Sequence, residues 1–485
     1  MIAHRNRGAT VCTQALWRCM GAAAIGAVVV GVSNPSVVLA ETLNAALAST
    51  YVGNPTLNAE RAKLRAIDEE VPLARSGYRP TITGSGSVTE SHSNTSPASP
   101  SDGKNISKDY AVSLGQTVFR GFQTINSIRE AEANVYAGRA DLLNVEQTTL
   151  LSAVTTYMNV FRDIAVVRLR QNDVKVLAEQ LRATQDRFRV GEVTKTDLAQ
   201  AQARRSGSVS QLTLAQSNLK TSRAEYERII GHPPSNVGQP SLPNSLLPPV
   251  IDEALANASD ENPALQASFF REAAADRAIK RITGELLPTV TFEASYARGF
   301  DPARTIKDTE DATFTGRLTV PFYQGGEVAA RVRQAKETFD QRKREVQEAR
   351  VRVRANVISS WGQLEAARAL LVSARAQVRA NRTALNGVRE EEKVGQRTVL
   401  DVLDAEQELL DSHVGLVETR RGLVVAAYTL ISSVGRLTVG KLGVAVPVYD
   451  AEEHYRSVKH KWFGLGTRRS LTRRNGNSAS RSYKR

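Results

Sequence analysis

The chain has 485 residues, 24% charged and 6% aromatic, with a net charge of +14 and two cysteines. Residues 1–40 carry +3 and residues 451–485 carry +8, so the body from 41 to 450 holds only +3; the excess is terminal, which argues against a nucleic-acid-binding face. Cys12 and Cys19 both precede residue 41, so a chain processed there has no thiol for disulfides, cysteine zinc sites or nucleophiles.

Residues 1–40 read as a secretory signal. Arg5, Arg7 and Arg18 give a positive start, Gly21 to Val32 is apolar, and Val38-Leu39-Ala40 offers a small-residue cleavage site before Glu41. The 12-residue apolar run is shorter than the ~20 residues that span a bilayer as a helix. Trp17-Arg18-Cys19 lacks the small apolar residues of a lipoprotein signal. No later stretch is long and apolar enough for a membrane helix, so entry into a membrane would have to be by strands.

From residue 41 the chain repeats itself. Ala46-Leu47-Ala48, Asn54-Pro55, Leu57 and Pro80-Thr81 return 208 residues later as Ala254-Leu255-Ala256, Asn262-Pro263, Leu265 and Pro288-Thr289. Phe119-Arg120-Gly121, Val190-Gly191, Asp197 and Gly231 return 204 residues later as Tyr323-Gln324-Gly325, Val394-Gly395, Asp401 and Gly435. Such self-similarity implies two equivalent structural units, here 41–238 and 251–447, joined by a Pro-rich connector at 239–250.

Each unit is predicted to run short helices, two strands, a long helix and a return helix. The first unit has strands near 80–90 and 109–120 and a helical hairpin over 122–231. The second has strands near 288–298 and 311–323 and a hairpin over 326–435. Alternation marks the strands: Val290, Phe292, Ala294 and Tyr296 against Thr291, Glu293 and Ser295. Runs of about 9–11 residues with Tyr or Phe near their ends suit tilted transmembrane strands; the alternative is a soluble sandwich. Four strands cannot close a barrel, and an open edge cannot stand in lipid, so the membrane reading demands oligomerisation. Glu90 to Asp109, rich in Ser, Pro and Asn, is predicted to be an extracellular loop.

No proline falls between Phe122 and Val190, which predicts one helix ~100 Å long. Its return helix carries a seam of alternating three- and four-residue spacings: Leu198, Ala201, Arg205, Ser208, Leu212, Ala215, Leu219, Ser222, Tyr226 and Ile229. This is a coiled-coil pattern with large and small residues interleaved. Residues 448–485 form a basic tail predicted to be disordered, with one apolar cluster, Lys461-Trp462-Phe463-Gly464-Leu465. The six histidines show no metal-ligand spacing and read as solvated. No phosphate loop or nucleophile elbow occurs, so neither cofactor nor catalysis is expected.

The segment from Val394-Gly395-Gln396-Arg397-Thr398 through Asp401-Val402-Leu403-Asp404, with Val320-Pro321-Phe322-Tyr323-Gln324-Gly325 and the duplication, resembles the TolC family of bacterial outer-membrane efflux proteins. The resemblance implies an α+β membrane protein, a homotrimer whose four strands per chain make a 12-stranded β-barrel continued by an α-helical coiled-coil tunnel across the periplasm. It also implies a passive exit duct for drugs or secreted proteins in a tripartite efflux or type I secretion system. Its partners would be a periplasmic adaptor protein, an inner-membrane pump or ABC exporter, and outer-membrane lipid. The alternatives are a periplasmic coiled-coil structural or adaptor protein without a barrel, and a diffusion porin.

The same resemblance places the site residues. Val190, Gly191, Val394 and Gly395 would be the hairpin tips that form the entrance and meet the adaptor. Arg397 would be the gate arginine, with Thr196 and Asp197 as its partners in the neighbouring hairpin. Glu392 stands where better-known members have a tyrosine and could add negative charge to the entrance. Asp401 and Asp404, three apart on one helical face, would become two carboxylate rings at a cation-attracting constriction. The plainer reading of such aspartates is a helix cap. The copies part here, with Gln200 opposite Asp404 and Val193 opposite Arg397.

Overall fold

A computed structural model describes residues 41–100, 102–240 and 242–467. The predicted signal at 1–40 and the end of the tail lie outside the described residues. The elements are α1 (Leu43–Gly53), α2 (Pro55–Asp68), α3 (Glu70–Arg75), β1 (Thr81–Ser93), β2 (Gly103–Arg120), α4 (Gln123–Arg189), α5 (Lys195–Ile230), α6 (Ile251–Glu261), α7 (Pro263–Thr283), β3 (Thr289–Ala303), β4 (Ile306–Thr319), α8 (Glu327–Lys393), α9 (Val399–Val434) and α10 (Glu453–Val458).

The duplication is structural. Helices α4 and α8 each have 67 residues, and α5 and α9 each have 36. The repeated Asn-Pro has a mechanical reason. Asn54 caps α2 by accepting the N–H groups of Thr56 (2.9 Å) and Leu57 (3.3 Å), and Pro55 starts the helix where no amide is needed. Its Nδ2 donates to the Ile229 carbonyl at 2.9 Å, near the end of α5. Asn262 repeats both acts, accepting from Ala264 and Leu265 and donating 2.9 Å to the Ser433 carbonyl of α9. One side chain thus starts a helix and ties it to the end of its own hairpin.

The strands form one antiparallel sheet in the order β1-β2-β3-β4, with β1 and β4 at its edges. Its register puts Ile82 beside Leu114, Leu114 beside Ala294 and Ala294 beside Phe314; one row further on, Gly84, Val112, Tyr296 and Ala312 line up. On the other face Thr83, Ser113, Ser295 and Thr313 align. Residues directly opposite share a face, so through these rows one side of the sheet is apolar and the other polar; further along, the first side also carries Arg298 opposite Glu310. Phe314, Ile82 and Leu318 are each more than 60% exposed in one chain. A soluble sandwich would cover that face with a second sheet.

The main core lies midway along the helices. Leu150, Val154 and Tyr157 of α4 pack on Leu47 of α1, Tyr226 and Ile230 of α5, and Leu437 and Val439 after α9. The Tyr157 hydroxyl sits 2.7 and 2.8 Å from the carbonyls of Glu41 and Gly238, and Tyr226 donates to the Glu41 carboxylate at 2.6 Å. These bonds anchor the start of the described chain to the end of the first unit, just before the connector. All of the predicted α5 seam is buried or half-buried except Arg205, which is exposed.

Several expectations need correction. The strands run further than their alternation suggested, to Ser93 and from Gly103, so the loop expected over Glu90–Asp109 shrinks to 94–102; Ser, Asn and Lys in these segments still pair as strand because the backbone ladder does not depend on apolar side chains. Strand β4 begins at Ile306 and ends at Thr319, before Pro321, which cannot donate to a ladder. The tail is ordered as far as residue 467: α10 packs Tyr455 on Val71, Ala131 and Val135. His454, read as solvated, is half-buried and lies 3.1 Å from buried Asp68, whose carboxyl is raised by burial and drawn back by that histidine. One stretch of α4 is apolar enough in length and composition to cross a bilayer, but half of it is buried inside the protein; it is a core helix.

Candidate functional site

The two hairpin tips are built alike. Helix α4 ends at Arg189, and the chain turns through exposed Val190 and Gly191 (φ 84°); α8 ends at Lys393 and turns through exposed Val394 and Gly395 (φ 78°). Positive φ favours glycine. The return helices then start with a capping box. Asp197 accepts the Thr194 N–H and hydroxyl, both at 2.8 Å, and Asp401 does the same with Thr398. In both aspartates the carboxyl lies below its ordinary value, chiefly because the threonine N–H stabilises the anion. Asp197 and Asp401 therefore both act as caps, the plainer of the two readings.

Arg397 is exposed, and its Nε donates to Glu391 of its own hairpin at 2.9 Å. Among the described residues of one chain it meets neither Thr196 nor Asp197. Glu392 is not a free entrance charge: its carboxylate accepts Arg187 Nη1 at 2.7 Å, and Arg187 Nε also reaches Glu192 at 3.3 Å. Arg187 belongs to α4 and Glu392 to α8, so this pair bridges the two tips. Asp404 is likewise paired, with Arg204 of α5. Beneath these polar links, Leu177 of α4 packs on Val399 and Leu403 of α9. Asp401 and Asp404 thus sit one turn apart with different partners, one on its own backbone and the other on the facing helix.

Sequence reading missed Arg187 and Arg204. Each pairs with a residue about 200 positions away, and only the packing of one hairpin against the other brings them together. The signal that existed was weak: basic residues near each acidic tip.

A membrane-facing sheet continued by two matched helical hairpins, whose tips carry paired charges and glycine turns, defines the subunit of a channel. The chain belongs to the outer membrane efflux protein family, whose profile matches residues 46–232 and 250–436, the two repeats. It is 39% identical over 436 residues to the outer membrane efflux protein BepC of Brucella suis, covering 88% of this chain and 93% of that one. The outer membrane protein TolC of Vibrio cholerae is 24% identical, covering 83% and 92%. Among solved structures, the CmeC outer membrane channel of Campylobacter jejuni superposes with a TM-score of 0.71 at 16% identity, covering 86% of this chain and 89% of that one. The protein is a TolC-family channel of the outer membrane, a conduit without enzymatic activity.

Proposed function

We propose that three copies close their sheets into one barrel of 12 strands and bundle their hairpins into a tunnel, forming the exit duct of a tripartite efflux or type I secretion machine. The observation that carries this reading is the sheet itself: an apolar face across four strands, with open edges at β1 and β4. Unpaired edge groups in hydrocarbon cost several kcal/mol each, and pairing β4 of one copy with β1 of the next removes them.

The exposed tips, Val190, Gly191, Val394 and Gly395, meet a periplasmic adaptor, and an inner-membrane pump or ABC exporter supplies the energy. Arg397, turned to Glu391 within one chain, reaches Thr196 and Asp197 of the adjacent hairpin in the closed trimer. The Arg187–Glu392 bridge is a second latch, within each copy. Asp401 and Asp404 line the narrowest part of the lumen. Support for the secretion side of this reading comes from the alkaline protease secretion protein AprF of Pseudomonas aeruginosa, 23% identical over 61% of this chain and 63% of that one.

The test is fractionation followed by planar-bilayer recording. The protein should sediment with outer membranes, run as a trimer that heat dissociates, and give cation-favouring conductance steps. A soluble monomer would reject the proposal.

A further inference from the structure

The last described segment does not behave like a loose tail. His460 Nδ1 lies 3.1 Å from Arg75 of α3, and the Lys461 carbonyl accepts Arg79 Nη1 at 2.8 Å. The Arg79 guanidinium stacks 4.9 Å from the Trp462 ring centre. Gly464 turns the chain at φ 104°, and Lys461 Nζ closes the turn on the Gly466 carbonyl at 2.7 Å. The segment is therefore fixed to the corner where α3 enters β1.

This fixed turn presents apolar side chains outward. Trp462 is 59% exposed, Phe463 87% and Leu465 fully. In water, three large apolar groups held apart from every core would be a liability. Their place in the fold supplies a partner. Arg79 precedes the first apolar-face residue of β1, Ile82, by three positions, about 10 Å of strand, so the cluster sits where the lipid-facing surface of the sheet ends. Tyr78 and Phe122, both more than half exposed, lie beside the same ends of β1 and β2. Aromatic side chains at that level match the boundary between headgroups and acyl chains. Charge agrees: from Lys459 to the end of the chain there are nine Lys or Arg and no acid, and basic residues beside an apolar cluster favour anionic headgroups.

We propose that this segment is a membrane strap, in which Trp462, Phe463 and Leu465 insert into the periplasmic leaflet of the outer membrane at the foot of the barrel and contact phospholipid. The strap rests on the chain's outer-membrane placement, which conductance of the same proteoliposomes checks separately.

Of the tryptophans, only Trp361 and Trp462 follow residue 40, so Trp462 can be read by itself. The W361F protein is reconstituted in vesicles of phosphatidylethanolamine and phosphatidylglycerol, with part of the lipid brominated near the glycerol end of its acyl chains; W361F/W462F is the blank. The expected result is blue-shifted Trp462 emission that is lost with brominated lipid and retained with iodide. Red emission quenched by iodide would place the ring in water and overturn the strap. Blue-shifted emission indifferent to both quenchers would bury it against a neighbouring copy and overturn it equally. If W361F does not assemble, the difference between the unaltered protein and W462F in the same vesicles gives the same reading.

Discussion

At the scale of single residues, the tips combine local caps with long-range ion pairs, and the two respond differently to substitution. The Arg187–Glu392 bridge joins α4 to α8 at 2.7 Å with the arginine side chain 41% exposed, so it contributes the few tenths to about 1 kcal/mol typical of partly exposed pairs. Arg187→Gln should raise the open fraction of the channel by about two- to fivefold per link on that basis, read as open dwell time in planar bilayers; the charge swap R187E/E392R should restore it, and an unchanged dwell time would remove the latch. Asp404 makes a sharper case, because it is held by Arg204. Arg204→Gln would uncover a carboxylate and strengthen block of the current by divalent cations, whereas Asp404→Ala would leave an unpaired guanidinium and weaken it. Block that ignores both changes would take Asp404 out of the lumen. The aspartates and Arg397 were legible in the sequence because a local motif carries them. Arg187 and Arg204, the partners of Glu392 and Asp404, were not, since an ion pair between hairpins depends on a rotation of helices that no spacing encodes.

At the scale of elements, the two repeats use the same closures under different crowding. Gly231 and Gly435 both end a return helix at φ 97°. A methyl group on Gly231 would meet open space, but on Gly435 it would lie 2.6 Å from the Glu261 carbonyl. Alanine at 231 should therefore cost only the left-handed backbone, about 1–2 kcal/mol, and alanine at 435 clearly more, seen as a larger drop in melting temperature by circular dichroism. The same turn carries a pH dependence. Arg436, and then Lys441, hold the Glu261 carboxyl down at about 2 against its ordinary 4.5. With the folded value depressed, the stabilisation is fully present above about pH 4.5 and is lost as pH falls towards 2. Melting temperature should fall over that window, and Glu261→Gln should flatten the fall; equal slopes would dismiss the clamp. Helix limits were largely legible, because prolines are absent from the long runs and glycines mark their ends. Strand limits were less so: β1 and β2 continue through Glu90, Asn105 and Lys108, where backbone pairing persists after the apolar alternation fades. The tail's composition spoke for disorder, yet Tyr455 and His454 each found a buried partner.

At the scale of the whole molecule, the duplication offers a template for the contact between copies in the proposed ring. Within one chain the first unit already meets the second: β2 pairs with β3, α4 lies along α7, and Asp141 of α4 accepts Arg271 of α7 at 2.7 Å. If the next contact around the ring repeats this one, each residue of β2 and α4 is replaced by its counterpart 204 positions on, and each residue of β3 and α7 by its counterpart 208 positions back. Strand β4 then pairs with β1 of the neighbour, and the Ala111–Ala297 pair becomes Thr315 with Thr89. The shift keeps the faces in phase. Gly316 falls beside Val88 and Leu318 beside Gly86, small against large on the apolar side. Charge is kept as well, because Asp141 with Arg271 becomes Glu345 with Lys63, two residues whose ion pairs among the described residues, Glu345 with Arg342 and Lys63 with Glu60, are local to their own helices. Gly121 lies so close to Gly284 that a methyl group on it would fall 2.0 Å from the Gly284 carbonyl, while its counterpart Gly325 faces open space within one chain, the place where Ser76 of a neighbour would arrive. Paired strand residues have Cα atoms about 4.5–5.5 Å apart, within the span of a disulfide, and both native cysteines precede residue 41. The double variant T89C/T315C should therefore oxidise into covalent dimers and trimers on non-reducing gels, whereas T81C/T315C, eight residues out of register, should stay monomeric after heating. Cross-linking of the second pair instead of the first would mean that the ring does not repeat the internal contact.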